Sequence, residues 1–381
     1  MQTAQTIPEP FLHASRIAFR RIHGLDLANA GAPGVSIDSS QLLLMARKHR
    51  MLGILYAGLP RDALPEWRKY ALGQAQLSVR FFEQAAQITD RLSKALHTPP
   101  TLIKGPGLAL QAWPDPALRT FDDLDFRCRR EDFSTFSDVV GAAGYKPLMN
   151  NGDHNEHLWH FGWGVGFRHI DGYYLEVNHR LFPRHFPCPP LLAPPHNALP
   201  AKLQMLDDST VLCPTPAAHL VLASAHAFWH GGERLAWIAD IAGLLIRHPG
   251  IMVDARKLCA GYAFLSRALL AACMLASQLF GPGLAGWDDA EKSVSGEIDQ
   301  RIRESCRIYR QQLLAATQPV PKERRRLQGL LCSRQENIRG FVLRAVTPGE
   351  PDFASLALHK QQRNRYWLYR PLRLLSRRRG S

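Results

Sequence analysis

The spacing of apolar and polar positions changes along the chain, and each change marks a different kind of element. From Asp38 to His97, in "SSQLLLMARKHRM" and "WRKYALGQAQLSVRFFEQAAQITDRLSKAL", leucine, alanine, valine and phenylalanine recur every three or four residues between charges. That period lines one side of a helix, so residues 1–97 read as an N-terminal helical region. The rhythm then shortens. "TLI" is a brief apolar strand running into Lys104-Gly105, "LALQAW" a short helix, "LDFRC" a second strand, and "REDFSTFSDVVGAAGY" a helix closed by Gly144. "LWHFGWG", "VGFRHID" and "YYLEVNHRLF" read as three further strands joined by glycine-containing turns. Strand, helix, strand, helix and then strands predict a small α/β layer over 98–200.

A proline-rich passage, "FPRHFPCPPLLAPPHNALP", reads as a boundary or a wrapping loop. Helical spacing returns in "TPAAHLVLASAHAFWHG", "ERLAWIADIAGLLIRH" and "DARKLCAGYAFLSRALLAACMLASQLF", giving a C-terminal helical domain over 201–358 and a basic tail over 359–381. The apolar run 268–287 is broken by Gly-Pro-Gly and reads as a buried helix ending near Phe280; a membrane span needs about 20 unbroken apolar residues. The fold class expected is therefore α+β, a small mixed-sheet core flanked by helical regions.

Composition adds location and partners. The hydrophobic fraction is 46% and the charged fraction 21%, which excludes a disordered chain. The formal net charge of +14 is concentrated late: Lys360, Arg363, Arg365, Arg370, Arg373, Arg377, Arg378 and Arg379 alternate with Tyr366, Trp367 and Tyr369, and no acid follows Asp352. Such a tail either contacts a polyanion or is simply solvated, and no nucleic-acid motif accompanies it. Cys128, Cys188, Cys213, Cys259, Cys273, Cys306 and Cys332 show no CxxC spacing, so reduced thiols in a cytoplasmic protein are expected. The opening "MQTAQTIPEPFLHASR" has no apolar stretch of the signal-peptide kind.

The candidate chemistry lies in "LRTFDDLDFRC". Residues two apart on a strand share a face, so Asp123 and Asp125 project together while Leu124 and Phe126 face the core, and Asp122 is a turn residue. Two adjacent carboxylates repel unless a cation lies between them, and hard oxygen donors suit Mg²⁺. Lys104-Gly105, between a strand and a helix, offers a lysine and backbone N–H groups to phosphate. Glu176 alternates with Leu175 and Val177 and supplies a third carboxylate. These parts describe metal-assisted phosphoryl or nucleotidyl transfer. His154, His157 and His160 carry a weaker zinc reading. His226, His230 and Asp240 read either as acceptor-side polar groups, one of them a base, or as a structural contact between two helices; the structural reading is favoured.

"LIKGPGLALQAWPDPALRTFDDLDFRCRREDFSTFSDVVGAAGYKP" resembles the uncharacterised bacterial nucleotidyltransferase family of the polymerase-beta-like superfamily. "YYLEVNHRL", "PTPAAHLVLASAHAFWHGGERLAWIADIAGLL" and "ARKHRMLGILYAGL" extend the likeness over roughly residues 40 to 250. The resemblance implies Asp123, Asp125 and Glu176 as catalytic and metal-binding groups, Lys104, Gly105 and Arg119 as the nucleotide-binding side, and two Mg²⁺ ions. It implies an NTP, with ATP the expected donor, and a small-molecule, peptide or saccharide acceptor. Pro106 after Gly105, and Asn178 where the family commonly has histidine, depart from the pattern. A second reading is a binding protein on the same scaffold that has lost turnover.

Overall fold

The computed structural model describes residues 9–30, 39–60, 65–149, 152–186, 198–202, 210–314, 321–356 and 358–378. Ahead of the sheet come α1 (Glu9–Ile22), α2 (Ser39–Lys48), α3 (Leu52–Gly58) and the long α4 (Arg68–Ala95). The sheet region then runs β1 (Thr101–Leu102), α5 (Gly105–Ala112), β2 (Asp123–Arg127), α6 (Phe133–Ala142), β3 (Tyr145–Pro147), α7 (Gly152–Phe161), β4 (Gly164–His169), β5 (Tyr174–Asn178), β6 (Ala198–Lys202) and β7 (Thr210–Pro214). Helices follow: α8 (Pro216–His230), α9 (Leu235–Arg247), α10 (Ile251–Cys259), α11 (Ala263–Phe280), α12 (Ala285–Val294), α13 (Gln300–Leu314), α14 (Pro321–Leu331), α15 (Arg334–Val346), α16 (Glu350–Leu356) and α17 (Tyr366–Arg378).

The described strands form one mixed sheet in the order β3-β4-β5-β2-β1-β7-β6. The α+β class holds, but the sequence reading differs at α7 and leaves out β3, β6 and β7, the end of the proline-rich passage pairing as β6. "LWHFGWG" belongs partly to α7 and only its end to β4, because the histidine and tryptophan spacing there follows a helical period. The sheet also continues past residue 200 into β7, which pairs in parallel with β1.

On β2 the apolar alternation works as expected. Leu124 and Phe126 are fully buried, and Phe126 meets Phe136 of α6 edge to face at 6.1 Å. The loop leading into β2 is fixed from the other side: Phe121 packs edge to face on Phe81 and Phe82 of α4, at 6.1 and 5.4 Å. Aromatic pairs of this geometry add about 0.5–1.5 kcal/mol each beyond buried area.

The flanking helices share one core, a continuous cluster from Phe11 to Cys332. Arg20 of α1 ties the N-terminal helices to α11; it is 2% exposed and donates to the carbonyls of Phe280 and Pro282 at 3.1 and 2.7 Å. A cation on the unpaired carbonyls at the end of α11 suits the negative pole of that helix. α11 is long and apolar enough by length and composition to cross a membrane, yet two-thirds of it is buried in this core, as the sequence reading expected. The basic tail is not a free extension over its described part: Tyr366 is fully buried with Phe161 and Phe353, and Arg370 and Arg373 both bind the buried Asp352.

Candidate active site

β2 and β5 run parallel and in register, with Asp125 opposite Glu176 and Asp123 opposite Tyr174. The three carboxylates thus reach one sheet region for the reason read from the sequence: strand alternation and the pairing of two acidic strands. Asp125 is 2% exposed, whereas Asp123 stands at the open start of β2. Their crowding shows in their acidity. The charge of Asp125, with desolvation behind it, pushes the Asp123 carboxyl up to about 7. Burial first and Asp125 second raise Glu176 as well.

The local countercharge is Lys104, whose Nζ lies 3.1 Å from Asp125 Oδ1. Burial works against its ammonium, but Asp125, Glu176 and Asp123 together hold its pKa above the ordinary range. Glu176 Oε1 accepts a hydrogen bond from the Trp163 indole at 3.0 Å. Among the described residues no group of three His, Cys, Asp or Glu side chains is arranged to hold a metal. Asp123 and Asp125 line the pocket described below; Glu176 is not among its lining residues.

Lys104 is the N-cap of α5, and Gly105 takes φ 52°, a left-handed conformation that favours glycine. Pro106 occupies the first turn of α5 and removes one N–H donor from the helix terminus. Gly107 allows close approach: a Cβ there would lie 2.8 Å from Cys213 Sγ and 2.9 Å from the Leu102 carbonyl.

Arg119 makes a fork on Asp240, with Nε and Nη2 3.0 and 2.8 Å from Oδ2. The indole of Trp113 donates to Asp240 Oδ1 at 2.8 Å, and Asp240 is 1% exposed. Asp240 is therefore the buried partner of Arg119, which joins the β2 loop to α9. The backbone carbonyl of Arg119 is held in turn by Ser78 Oγ of α4, at 2.9 Å.

The rings of His226 and His230 lie 4.4 Å apart at a tilt of 47°, and both meet the Trp237 ring. Desolvation, then Lys104, hold His226 well below the usual imidazole range, so it is neutral near pH 7. His226 and Asp240 line the pocket; His230, 3.7 Å from Glu233, is not among the lining residues.

These groups border a cavity of ≈ 110 Å³ between the sheet, α5, α8 and α9. Sequence reasoning missed three participants: Arg50, Arg234 and Trp237 line the same cavity. Asp122, read as a turn residue, accepts from both arginines. Arg50 stands in the quoted "ARKHRM" and Arg234 in "ERLAW", but nothing in their local spacing shows that they meet. The zinc reading of the histidines gains no support. His157 Nε2 donates to the Leu358 carbonyl at 2.6 Å, His160 contacts Arg130, and the side chain of His154 lies outside the described residues. Six cysteines are free and buried, and Cys188 lies outside the described residues.

The sequence profile of a family described as "uncharacterised nucleotidyltransferase" matches residues 36–281, more than half of the chain. No curated protein matches.

Proposed function

From the premise that the chain belongs to the uncharacterised nucleotidyltransferase family and is a nucleotidyltransferase, we propose that it moves a nucleoside monophosphate from an NTP, with ATP the expected donor, to a small-molecule, peptide or saccharide acceptor. An acceptor oxygen bonds to the α-phosphorus as the bond to the β-phosphate oxygen breaks. Pyrophosphate leaves, and the acceptor proton passes to a base or to water. The observation that carries this reading is the placement of Asp123 and Asp125 on one strand face at a pocket that also holds Lys104, Arg119 and the start of α5.

The donor set suits a divalent cation. Asp123 and Asp125 are hard oxygen donors whose mutual repulsion a cation would relieve, which fits Mg²⁺, one ion or two. Such a cation, when bound, neutralises phosphate charge and stabilises the leaving group. Glu176 accepts from Trp163 through Oε1 and could join this set through its other oxygen. Lys104 holds charge beside Asp125 at the start of α5, on the side where the phosphates would lie. Gly105 and Pro106 shape the backbone beside it. Arg119 contributes field while gripping Asp240, and neutral His226 offers the acceptor side a proton-accepting nitrogen. The buried free thiols support a cytoplasmic location.

The test is pyrophosphate release from labelled NTPs with Mg²⁺ and a panel of acceptors. Asp123→Asn and Asp125→Asn should each lower the rate at least about a hundredfold. A rate untouched by both substitutions overturns the assignment. The second reading, a nucleotide-binding protein with weak turnover, draws on the Lys104–Asp125 and Arg119–Asp240 pairs, in which two expected phosphate contacts already hold carboxylates. It predicts saturable nucleotide binding without pyrophosphate release.

A further inference from the structure

The turn that closes α2 carries an arginine where its backbone favours glycine. Arg50 has φ 58° and, among the described residues, is the non-glycine residue with positive φ. Met51 N–H returns to the Ala46 carbonyl at 2.8 Å and Arg50 N–H to that of Arg47 at 3.3 Å. This is a Schellman-type closure, whose left-handed position usually belongs to glycine. A long side chain is kept there against backbone preference, and it extends into the pocket.

Arg50 Nη2 lies 2.6 Å from Asp122 Oδ2 and 2.6 Å from Oδ1. Arg234 Nη1 reaches Asp122 Oδ2 from the α9 side at 3.0 Å, with its guanidinium 5.5 Å above the Trp237 ring. The two arginines are mechanically joined. The Ala236 N–H donates to the His49 carbonyl at 3.2 Å and the Leu235 N–H to His49 Nδ1 at 3.3 Å, so the first turn of α9 hangs on the α2 turn. Two guanidinium groups thus meet one carboxylate whose side chain is 37% exposed, so this three-residue cluster holds one more cation than anion. Lys104 and Arg119, by contrast, hold the nearly buried Asp125 and Asp240.

We infer that Arg50 and Arg234 form a clamp for a phosphate group of a substrate, with Asp122 as an internal stand-in that the phosphate displaces. This rests on the nucleotidyltransferase reading. Paired guanidinium forks match phosphate oxygens in geometry and charge, and a half-exposed carboxylate is the easiest of the local partners to displace. The strained turn positions one fork, and the His49 link sets its distance from the other. The phosphate belongs either to the nucleoside triphosphate or to a phosphorylated acceptor.

Calorimetric titration of the full chain with inorganic tripolyphosphate and with glycerol phosphate tests the clamp without relying on turnover. Asp122→Ala should tighten binding severalfold by freeing both arginines. Arg50→Gly and Arg234→Ala should weaken it at least tenfold. Arg50→Gly also guards against misfolding: glycine suits the turn, so its melting temperature should hold or rise while binding falls. Effects confined to tripolyphosphate assign the clamp to the NTP; effects that include glycerol phosphate assign it to the acceptor. Asp122→Ala weakening binding or leaving it unchanged, Arg50→Gly binding as well as the parent, or neither probe binding to the parent or Asp122→Ala would each overturn the clamp. Loss of pyrophosphate release in Asp123→Asn bears on the catalytic reading alone, so the two failures are distinguishable.

Discussion

At Asp123 the site announces a cation through its acidity. A carboxyl whose pKa is raised in the folded state binds its proton more tightly there than in the unfolded chain. Its contribution to stability is therefore present below the ordinary carboxylate range and is lost as pH rises through about 7. Metal-free protein should accordingly lose melting temperature between about pH 4 and pH 7 relative to Asp123→Asn, and Mg²⁺ should restore it at pH 8. Parallel pH profiles for the two proteins would show that the repulsion is not there. Arg119 and Asp240 predict differently. Removing one partner of a buried ion pair leaves the other uncompensated, so Asp240→Ala should cost about 3–5 kcal/mol in a denaturant titration. A variant that kept its stability while losing turnover would return Asp240 to the acceptor side. Both aspartates were visible in the sequence, but only Asp123 had a neighbour close enough along the chain to show its role. The partner of Asp240 lies 121 residues away.

At the scale of elements, β2 and the start of α5 were the most legible parts. A two-residue alternation and a Lys-Gly step between strand and helix report their geometry locally, because the side-chain period of a strand and the φ freedom of glycine need no distant partner. Gly105→Ala tests that directly. At φ 52° an added Cβ should cost about 1–3 kcal/mol through backbone strain. A Cβ there would meet the Asp123 carbonyl only at 3.4 Å, so sterics should add little. Thermal unfolding measures the cost, and an unchanged melting temperature would contradict the left-handed turn. The end of α7 reads as a strand because its aromatic residues favour strands, while its three-residue histidine spacing is the better guide. β7 has little local signal because "TVLCP" is five residues ending in proline, and its parallel pairing with β1 is a long-range event.

Over the whole molecule, the N-terminal helices, the sheet and the helices that follow it share a core. α1 docks on α11 through Arg20, and the Arg119 fork binds the sheet loop to α9. The described part of the basic tail, expected to be solvated or polyanion-binding, is anchored by Tyr366 and by Asp352. Deleting residues 359–381 should therefore uncover Phe161 and Phe353 and lower the melting temperature, beyond any effect on partners. It should also weaken heparin binding and flatten its salt dependence if the deleted arginines other than Arg370 and Arg373 meet a polyanion. A deletion that leaves melting unchanged would mean that the tail adds nothing to the fold.

The sequence by itself determined what depends on near neighbours: the helical spans, the acidic face of β2, the glycine turn after Lys104, and through them the family's chemistry. Only the tertiary structure decided which charges meet. Ion pairing is set by distance in space, and Lys104 with Asp125, Arg119 with Asp240, and Arg50 with Asp122 and Arg234 are brought together by packing among segments far apart in the chain. Burial then sets the energy of each meeting, because a charge withdrawn from water must find its partner inside the fold.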